Sequence, residues 1–412
     1  MTQRVRTPTW LCTWFVAALG CSSEPAIERN VDVSSEPIRA AVHSNAAVAS
    51  KLSAALRDQP GNLFYSPLSI EAVSGMLFAG AAANTAAELG EFLDASGDPA
   101  ALHKGLGALL ADLSQEHAQY TLSIANRLWT APGLDSSPTF IAVTREDYKA
   151  PTEALTFSDD PEAARAKINH WVSDHTAGKI DELLKAGQIR TQTVMAIVNA
   201  IYFKADWAKA FDVSLTRTDS FHRADGTDVS VQMMSTPKTK LRTAAVDSGI
   251  WIELPYRSGE VSFLAYTATA LQDVQTLQAY VDAVDLGEVV AGFSESELIL
   301  QMPRFSVRSR LDLVPVLEQL GVKDLFDPAR ADLSNISAAG GLVVDPFIHE
   351  AAVWVDEQGT VAAAATAAGV LRHSGPRTVR IDHPFVFLIR DNLTGAILFS
   401  GRVADPSHSA AD

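Results

Sequence analysis

Glu357-Gln358-Gly359-Thr360-Val361-Ala362-Ala363-Ala364-Ala365-Thr366-Ala367-Ala368-Gly369-Val370-Leu371 is the stretch on which the reading of this chain turns. It carries no charge between Glu357 and Arg372, no proline and almost no large side chain. As a helix it has alanine for propensity, but two glycines and no amphipathic stripe. As an exposed loop it is too apolar and short of turn residues. An exposed loop that can also become a strand inside a sheet fits better. A central strand must lack proline, because every N–H is needed for the ladder. Its side chains must be uncharged to enter a packed interior without a desolvation cost. Thr360, Ala362, Ala364, Thr366, Ala368 and Val370 would share one face of that strand. None is charged and none is larger than valine.

Bulk properties bound the rest. The chain has 412 residues, 47% of them hydrophobic, enough for a large core. No long Pro/Gly/Ser-rich or charge-run linker and no internal repeat interrupts residues 40–407, so a single domain is expected there. The formal net charge of −16 argues against nucleic acid as a partner. Arg4 and Arg6 precede an apolar run, Trp10 to Leu19, and Gly20-Cys21 follows. That pattern predicts a secretory signal over 1–20. The run falls short of the roughly 20 residues a membrane span needs. Ala18-Leu19-Gly20-Cys21 also resembles a bacterial lipobox, which would make Cys21 the lipidated first residue and anchor the chain to a membrane. The expected location is then the cell envelope, as a lipoprotein, or the extracellular space. Residues 21–39 read as a flexible tether and 408–412 as a disordered tail. Cys12 and Cys21 are the two cysteines, so the mature chain has no pair for an internal disulfide.

Helical periodicity covers 41–57, 67–79, 85–94, 99–114, 161–176 and 311–320, with Asp159 or Asp160 capping the fifth and Pro161 in its first turn. Strand-like runs occupy 121–129, 193–204, 229–234, 251–256, 261–268, 297–307, 342–355, 385–390 and 396–403. Asp225-Gly226 marks a hairpin between Phe221 and Val229. Helices dominate early and strands late, which predicts an α+β fold. Enzyme motifs are scarce. Gly105-Leu106-Gly107 is half of a nucleotide-binding fingerprint, set inside a helix with no strand before it. His170 and His175 are five apart, the wrong spacing for one helix face. No P-loop, Gly-x-Ser-x-Gly elbow or paired-cysteine metal site occurs, and no catalytic residue, cofactor or metal is expected.

Seven motifs in order carry a resemblance. They are Asn62-Leu63-Phe64-Tyr65-Ser66-Pro67-Leu68-Ser69-Ile70, Asn199-Ala200-Ile201-Tyr202-Phe203-Lys204-Ala205-Asp206-Trp207, Glu253-Leu254-Pro255-Tyr256, Met302-Pro303-Arg304-Phe305, His349-Glu350-Ala351, Asp382-His383-Pro384-Phe385-Val386-Phe387 and Phe399-Ser400-Gly401-Arg402-Val403. Together with the loop they make the chain resemble a serpin, a serine-protease inhibitor. The resemblance implies three β-sheets, eight or nine helices and an exposed reactive loop near the C-terminus. Loop insertion is that family's established behaviour, a standing example of strand addition and of stored strain. The protease cuts the loop and is held as an acyl-enzyme while the loop enters the main sheet. About 14 residues at roughly 3.3 Å each make a strand near ~46 Å long.

The resemblance also assigns residues. Glu357, Gly359, Thr360, Ala362, Ala363, Ala364 and Ala365 would form the hinge. Arg304 would pair with Glu357, and Trp207 would mark where the loop enters the sheet. Ser66, Ser69, Asn199 and His349 would form a polar cluster beneath the sheet whose exchange of partners lets it open. Glu350 departs from the family's usual basic residue, which is expected to alter a surface contact. Family register puts the scissile bond at His373-Ser374. Arg372, one step earlier, is what a trypsin-like pocket selects by charge. The expected product is a covalent complex of a monomeric inhibitor with a serine protease. The rival readings are a non-inhibitory binding or chaperone protein and an inhibitor of a papain-like cysteine protease.

Overall fold

The computed structural model describes residues 29, 31–95, 97–115, 120–360 and 377–407. The chain opens with α1 (Glu36–Leu56), β1 (Leu63–Tyr65), α2 (Pro67–Gly80), α3 (Ala83–Phe92) and α4 (Pro99–Leu113). Next come β2 (Tyr120–Thr130), α5 (Pro138–Glu146), β3 (Thr152–Ala154), α6 (Pro161–His175) and β4 (Met195–Asp206). Five strands follow: β5 (Arg217–His222), β6 (Asp228–Ser235), β7 (Thr239–Val246), β8 (Gly249–Pro255) and β9 (Val261–Ala268). Then α7 (Val274–Ala283) and α8 (Leu286–Ala291) precede β10 (Ser294–Pro303), β11 (Phe305–Asp312) and α9 (Leu313–Gln319). The end is β12 (Ile348–Val355), β13 (Gly359–Thr360), β14 (Arg377–Arg380), β15 (Phe385–Asp391) and β16 (Ile397–Val403). This is the expected α+β fold.

The strands make three sheets. The main one has six strands in the order β11-β12-β13-β4-β2-β3. β2 and β4 are its longest antiparallel pair, in register from Tyr120↔Ala205 to Thr130↔Met195. A second sheet runs β1-β16-β15-β9-β8-β7, and a third gathers β14, β10, β6 and β5. β10 joins these two. Its first half pairs with β7 and its last residues with β6. The largest core packs α1, α2 and α4 against the sheets. A second core lies between α6, residues 180–189 and the main sheet. A third lies between α7 and the face of β8, β9 and β15.

Local chemistry accounts for several boundaries. Asp160 caps α6, its Oδ1 accepting from the Ala163 N–H at 2.9 Å. The Asp225-Gly226 hairpin joins β5 to β6 with Phe221 opposite Val229, and Gly226 takes φ +82°. The run expected over 297–307 divides at Arg304, where the chain leaves β10 for β11 in a different sheet. The strand expected from 342 starts only at Ile348. Helices α5, α7 and α8, of 9, 10 and 6 residues, escape the periodicity reading.

The tether expected over 21–39 is corrected in its second half. α1 begins at Glu36, with Pro37 in its first turn. Ahead of it Arg29 is a buried anchor. Its Nε donates to Asp112 on α4 at 2.8 Å and its Nη2 to Asp391 on β15 at 3.2 Å. Two buried carboxylates around one guanidinium hold the segment down, which its Ser, Glu and Pro content does not reveal. The glycines of Gly105-Leu106-Gly107 serve packing. A Cβ on Gly105 would lie 1.8 Å from the Pro37 carbonyl oxygen, and one on Gly107 2.4 Å from that of Asp147. Among the described residues no helix is long and apolar enough to cross a membrane.

Candidate functional site

The site begins where β12 ends. Asp356 turns the chain: its Oδ1 accepts from the N–H groups of Gln358 and Gly359 at 2.9 and 3.2 Å. The two residues of β13 then enter the main sheet. Thr360 pairs with Val355 on one side and Ala205 on the other, and Gly359 with Asp206. Glycine is required here, since a Cβ on Gly359 would sit 2.1 Å from the Ala205 carbonyl oxygen. Thr360 is 1% exposed, and its hydroxyl bonds the buried Tyr256 hydroxyl at 2.9 Å. The first residue of the candidate strand's inner face therefore already points into the core.

Arg304 and Glu357 meet. Arg304 Nη2 donates to both Glu357 carboxylate oxygens at 2.7 Å, and Thr216 Oγ1 donates to Oε1 at 2.7 Å. Burial pushes the Glu357 carboxyl up. The bonds from Thr216 and Arg304 outweigh it, and its pKa lies below the ordinary glutamate value. Burial holds the neighbouring Asp356 above its ordinary value, against the two N–H bonds it accepts. Trp207 stacks on Tyr256 with ring centroids 4.6 Å apart. Its Nε1 donates to the Asp356 carbonyl at 3.0 Å, and its backbone N–H to that of Gln358 at 2.7 Å. Trp207 thus braces the turn from which β13 departs.

Ser66, Ser69, Asn199 and His349 also come together. His349 Nε2 accepts from the Ser66 N–H at 3.0 Å, so that nitrogen carries no proton. Burial pushes the His349 pKa down to about 4. Ser66 Oγ caps α2 by accepting from the Ser69 N–H at 3.1 Å and donates to the Leu398 carbonyl at 2.7 Å. Ser69 Oγ donates to Asn199 Oδ1. Asn199 passes the chain on to Asn126 at 2.6 Å, and Asn126 to the Tyr148 carbonyl at 2.8 Å. The network therefore links β12, α2, β4 and β2. Sequence reading missed Asn126, Tyr148, Tyr256 and Thr216. Tyr256 sits within a quoted motif, and that motif was the available signal.

Among the described residues, β4 and β12 are linked through β13 alone. Toward the start of these strands lies a cavity of about 350 Å³, bounded by Ser69, Ile70, Ile197, Asn199, Phe347 and His349. Glu350 corrects an expectation. It makes no surface contact but is buried on the outer face of β12, between Arg308 Nε at 2.7 Å and Arg310 Nη1 at 3.3 Å. Ala362, Ala363, Ala364, Ala365, Arg372, His373, Ser374 and Cys21 lie outside the described residues.

The molecule is an α+β protein in which, among the described residues, β4 and β12 of the main sheet are joined through the two residues of β13. The comparisons narrow the class. A family model described as Serpin (serine protease inhibitor) matches residues 43–406, and this chain belongs to the serpin family. The leukocyte elastase inhibitor of Bos taurus is 36% identical over 355 residues, covering 84% of this chain and 93% of the relative. Serpin B8 of Homo sapiens is 36% identical over 360 residues, covering 85% and 94%. The crystal structure of uncleaved ovalbumin superposes with a TM-score of 0.78 at 28% identity, covering 89% of this chain and 99% of ovalbumin.

Proposed function

We propose that this chain is not an enzyme but inhibits a serine protease by being cut in residues 361–376 and inserting the freed segment into the main sheet. One observation carries the reading: Gly359 and Thr360 already pair between β12 and β4, which among the described residues are joined through β13 alone. Every residue from Val361 to Leu371 is uncharged, so each can follow them in without burying a charge. The hinge is Glu357, Gly359, Thr360 and Ala362–Ala365, held by Arg304 and Trp207. The Ser66–Ser69–Asn199–His349 network lets the strands part. Cleavage falls at Arg372-His373, because Arg372 suits a trypsin-like pocket with a buried carboxylate. The inhibitor acts as a monomer and ends covalently bound to its target.

A panel of trypsin-like and papain-like proteases tests this on a denaturing gel. The parent is expected to give a covalent band with a trypsin-like enzyme, and Arg372→Ala to lose that band while its thermal unfolding is unchanged. A band that survives Arg372→Ala moves the cut to His373-Ser374. A band with papain-like enzymes alone changes the target class. Clean cleavage throughout, with no band, means a carrier or chaperone and ends the inhibitor reading.

We further propose export with lipid attachment at Cys21, on the strength of Arg4, Arg6, the apolar run and Gly20-Cys21. The named relatives are animal proteins and lend the anchor no support. Stable attachment takes more than one acyl chain. Cys21→Ser is expected to release the protein from membranes. An intact mass showing unmodified Cys21 in the exported chain refutes the anchor.

A further inference from the structure

We propose that His383 is a pH-responsive clasp on β14: as an imidazolium it fixes Asp382 against Arg380, and on losing its proton it lets the strand loosen from the third sheet. The candidate site makes no use of Asp382 and His383, although both belong to one of the seven motifs. The clasp concerns the fastening of β14 and stands apart from the insertion reading.

β14 is lightly held. Among the described residues it pairs with β10 alone, from Leu298↔Arg377 to Gln301↔Arg380, and of its four side chains that of Val379 is buried. Its last residue carries the side-chain ties. Arg380 donates to Asp219 on β5 at 2.9 Å, to Gln301 on β10 at 3.0 Å and to Asp382 at 2.9 Å. Asp382 is the bridge. Its Oδ2 takes Arg380, its Oδ1 lies 3.0 Å from His383 Nδ1, and its carbonyl accepts from the His222 N–H of β5 at 2.8 Å. The bonds from His383 and Arg380 hold the Asp382 carboxyl well below the ordinary aspartate value, against the pull of burial.

The surroundings of His383 dictate its charge. Nδ1 faces the Asp382 carboxylate. Nε2 lies 2.8 Å from the Ala268 carbonyl oxygen and 3.1 Å from the Thr267 hydroxyl, both on β9. A carboxylate and a carbonyl only accept, so both ring nitrogens must donate, and a ring that does so is protonated on each. A neutral ring has one proton to give. Kept on Nε2, it leaves a lone pair on Nδ1 against the carboxylate. Kept on Nδ1, it leaves a lone pair on Nε2 against the Ala268 carbonyl, with the Thr267 hydroxyl alone able to turn and donate. Either way two lone pairs meet at hydrogen-bond distance, and the ring or Asp382 has to move. Asp382 is the charged group in contact with the ring. Arg380 and Asp219 lie behind it, and His222 turns its own ring to Asp228. Burial pulls the His383 pKa down, but the bonds to Asp382 and Ala268 outweigh it and hold the value above the ordinary 6.5. The fastening is therefore complete below pH 6.5 and lost as pH rises through the higher folded value. β14 begins where residues 361–376 end, so the clasp also sets how firmly the far end of that stretch is held.

Hydrogen exchange of the full chain tests this, read by mass spectrometry on peptides covering 377–380 and divided by the intrinsic rate at each pH, from about pH 6 to about pH 9. Protection of β14 in the parent is expected to fall by up to about ten-fold for each unit by which the fastened His383 pKa exceeds that of the free ring, while protection of β15 holds. The fall must level off at the pH where NMR shows the His383 imidazole titrating in the folded chain, above 6.5. His383→Gln is expected to show the parent's high-pH protection throughout, with no further fall. Equal pH profiles in parent and variant, a flat profile in the parent, or a fall that levels off away from the imidazole titration overturns the clasp. If His383→Gln does not fold, Asp382→Asn must flatten the profile in its place, and the match to the imidazole titration decides without any variant. None of these readouts uses a protease, so the clasp and the inhibitor reading can fail separately.

Discussion

Glu357 is where single-residue chemistry matters most. Its carboxylate is buried, while the arginine that neutralises it is half exposed. Glu357→Lys would set a cation against Arg304 and strip Thr216 of its acceptor. With the solvent screening of Arg304 allowed for, the turn should lose about 1–2 kcal/mol. Spontaneous insertion or polymer formation is expected to rise, followed as the loss of monomer on a native gel during warming. An unchanged monomer lifetime would mean that the pair does not hold the hinge. A second residue sets a pH dependence. Glu71 on α2 is fully buried beside Asn45, whose Nδ2 donates to it at 3.0 Å. Burial pushes its pKa to about 8, against the pull of Ser44 and Asn45. The folded chain therefore keeps a proton that the unfolded chain releases above its ordinary value of 4.5. Stability attributable to this group is present below pH 4.5 and lost progressively as pH rises to about 8. Glu71→Gln is expected to flatten that decline in urea midpoints between those limits. A parallel decline in both proteins would show that Glu71 is not its source.

At the scale of elements, the segment before α1 and the strand β13 are both small additions with large consequences. Arg29 ties that segment to α4 and β15, and its two partners are themselves buried. Arg29→Ala leaves two carboxylates without their cation and is expected to cost roughly 3–5 kcal/mol. The urea midpoint of the full chain reads this directly, and a shift under about 1 kcal/mol would make the anchor incidental. β13 has two residues, yet it aims the loop. Thr360→Arg would place a cation where the Thr360 hydroxyl meets Tyr256, at several kcal/mol if unpaired. Insertion should slow, and the target protease should cleave the variant as a substrate with little covalent complex. Full inhibition by Thr360→Arg would exclude insertion through this face.

At the scale of the molecule, the separation of β4 and β12 among the described residues is what the insertion reading turns on. Edges of a sheet invite pairing, and here two facing edges lie inside one sheet with a strand of the same chain beginning between them. On the insertion reading, filling the space between β4 and β12 would add ladder hydrogen bonds and bury apolar surface, and the uncut form would then persist because of a barrier and not of equilibrium. Cutting the loop of the parent is therefore expected to raise its thermal unfolding temperature markedly, as followed by calorimetry. A cut chain that melts where the intact one does would place the gap outside the mechanism.

The α+β class, the hairpin at Asp225-Gly226, the cap at Asp160 and the strand start at Gly359-Thr360 were all readable along the chain. Each depends on neighbours within a few residues, where side-chain chemistry and period act directly. Family motifs extended that reach to Trp207, Arg304 and His349. Other contacts were decided in three dimensions. Thr216 lies 141 residues from Glu357, and Asn126 lies 73 from Asn199. Arg29 gave no local sign of burial, because its carboxylates come from α4 and β15. Glu350 looked like a surface substitution until β11 placed Arg308 and Arg310 around it. A charge becomes a buried partner only when distant elements enclose it and remove water, and periodicity in the chain holds no record of which elements those are.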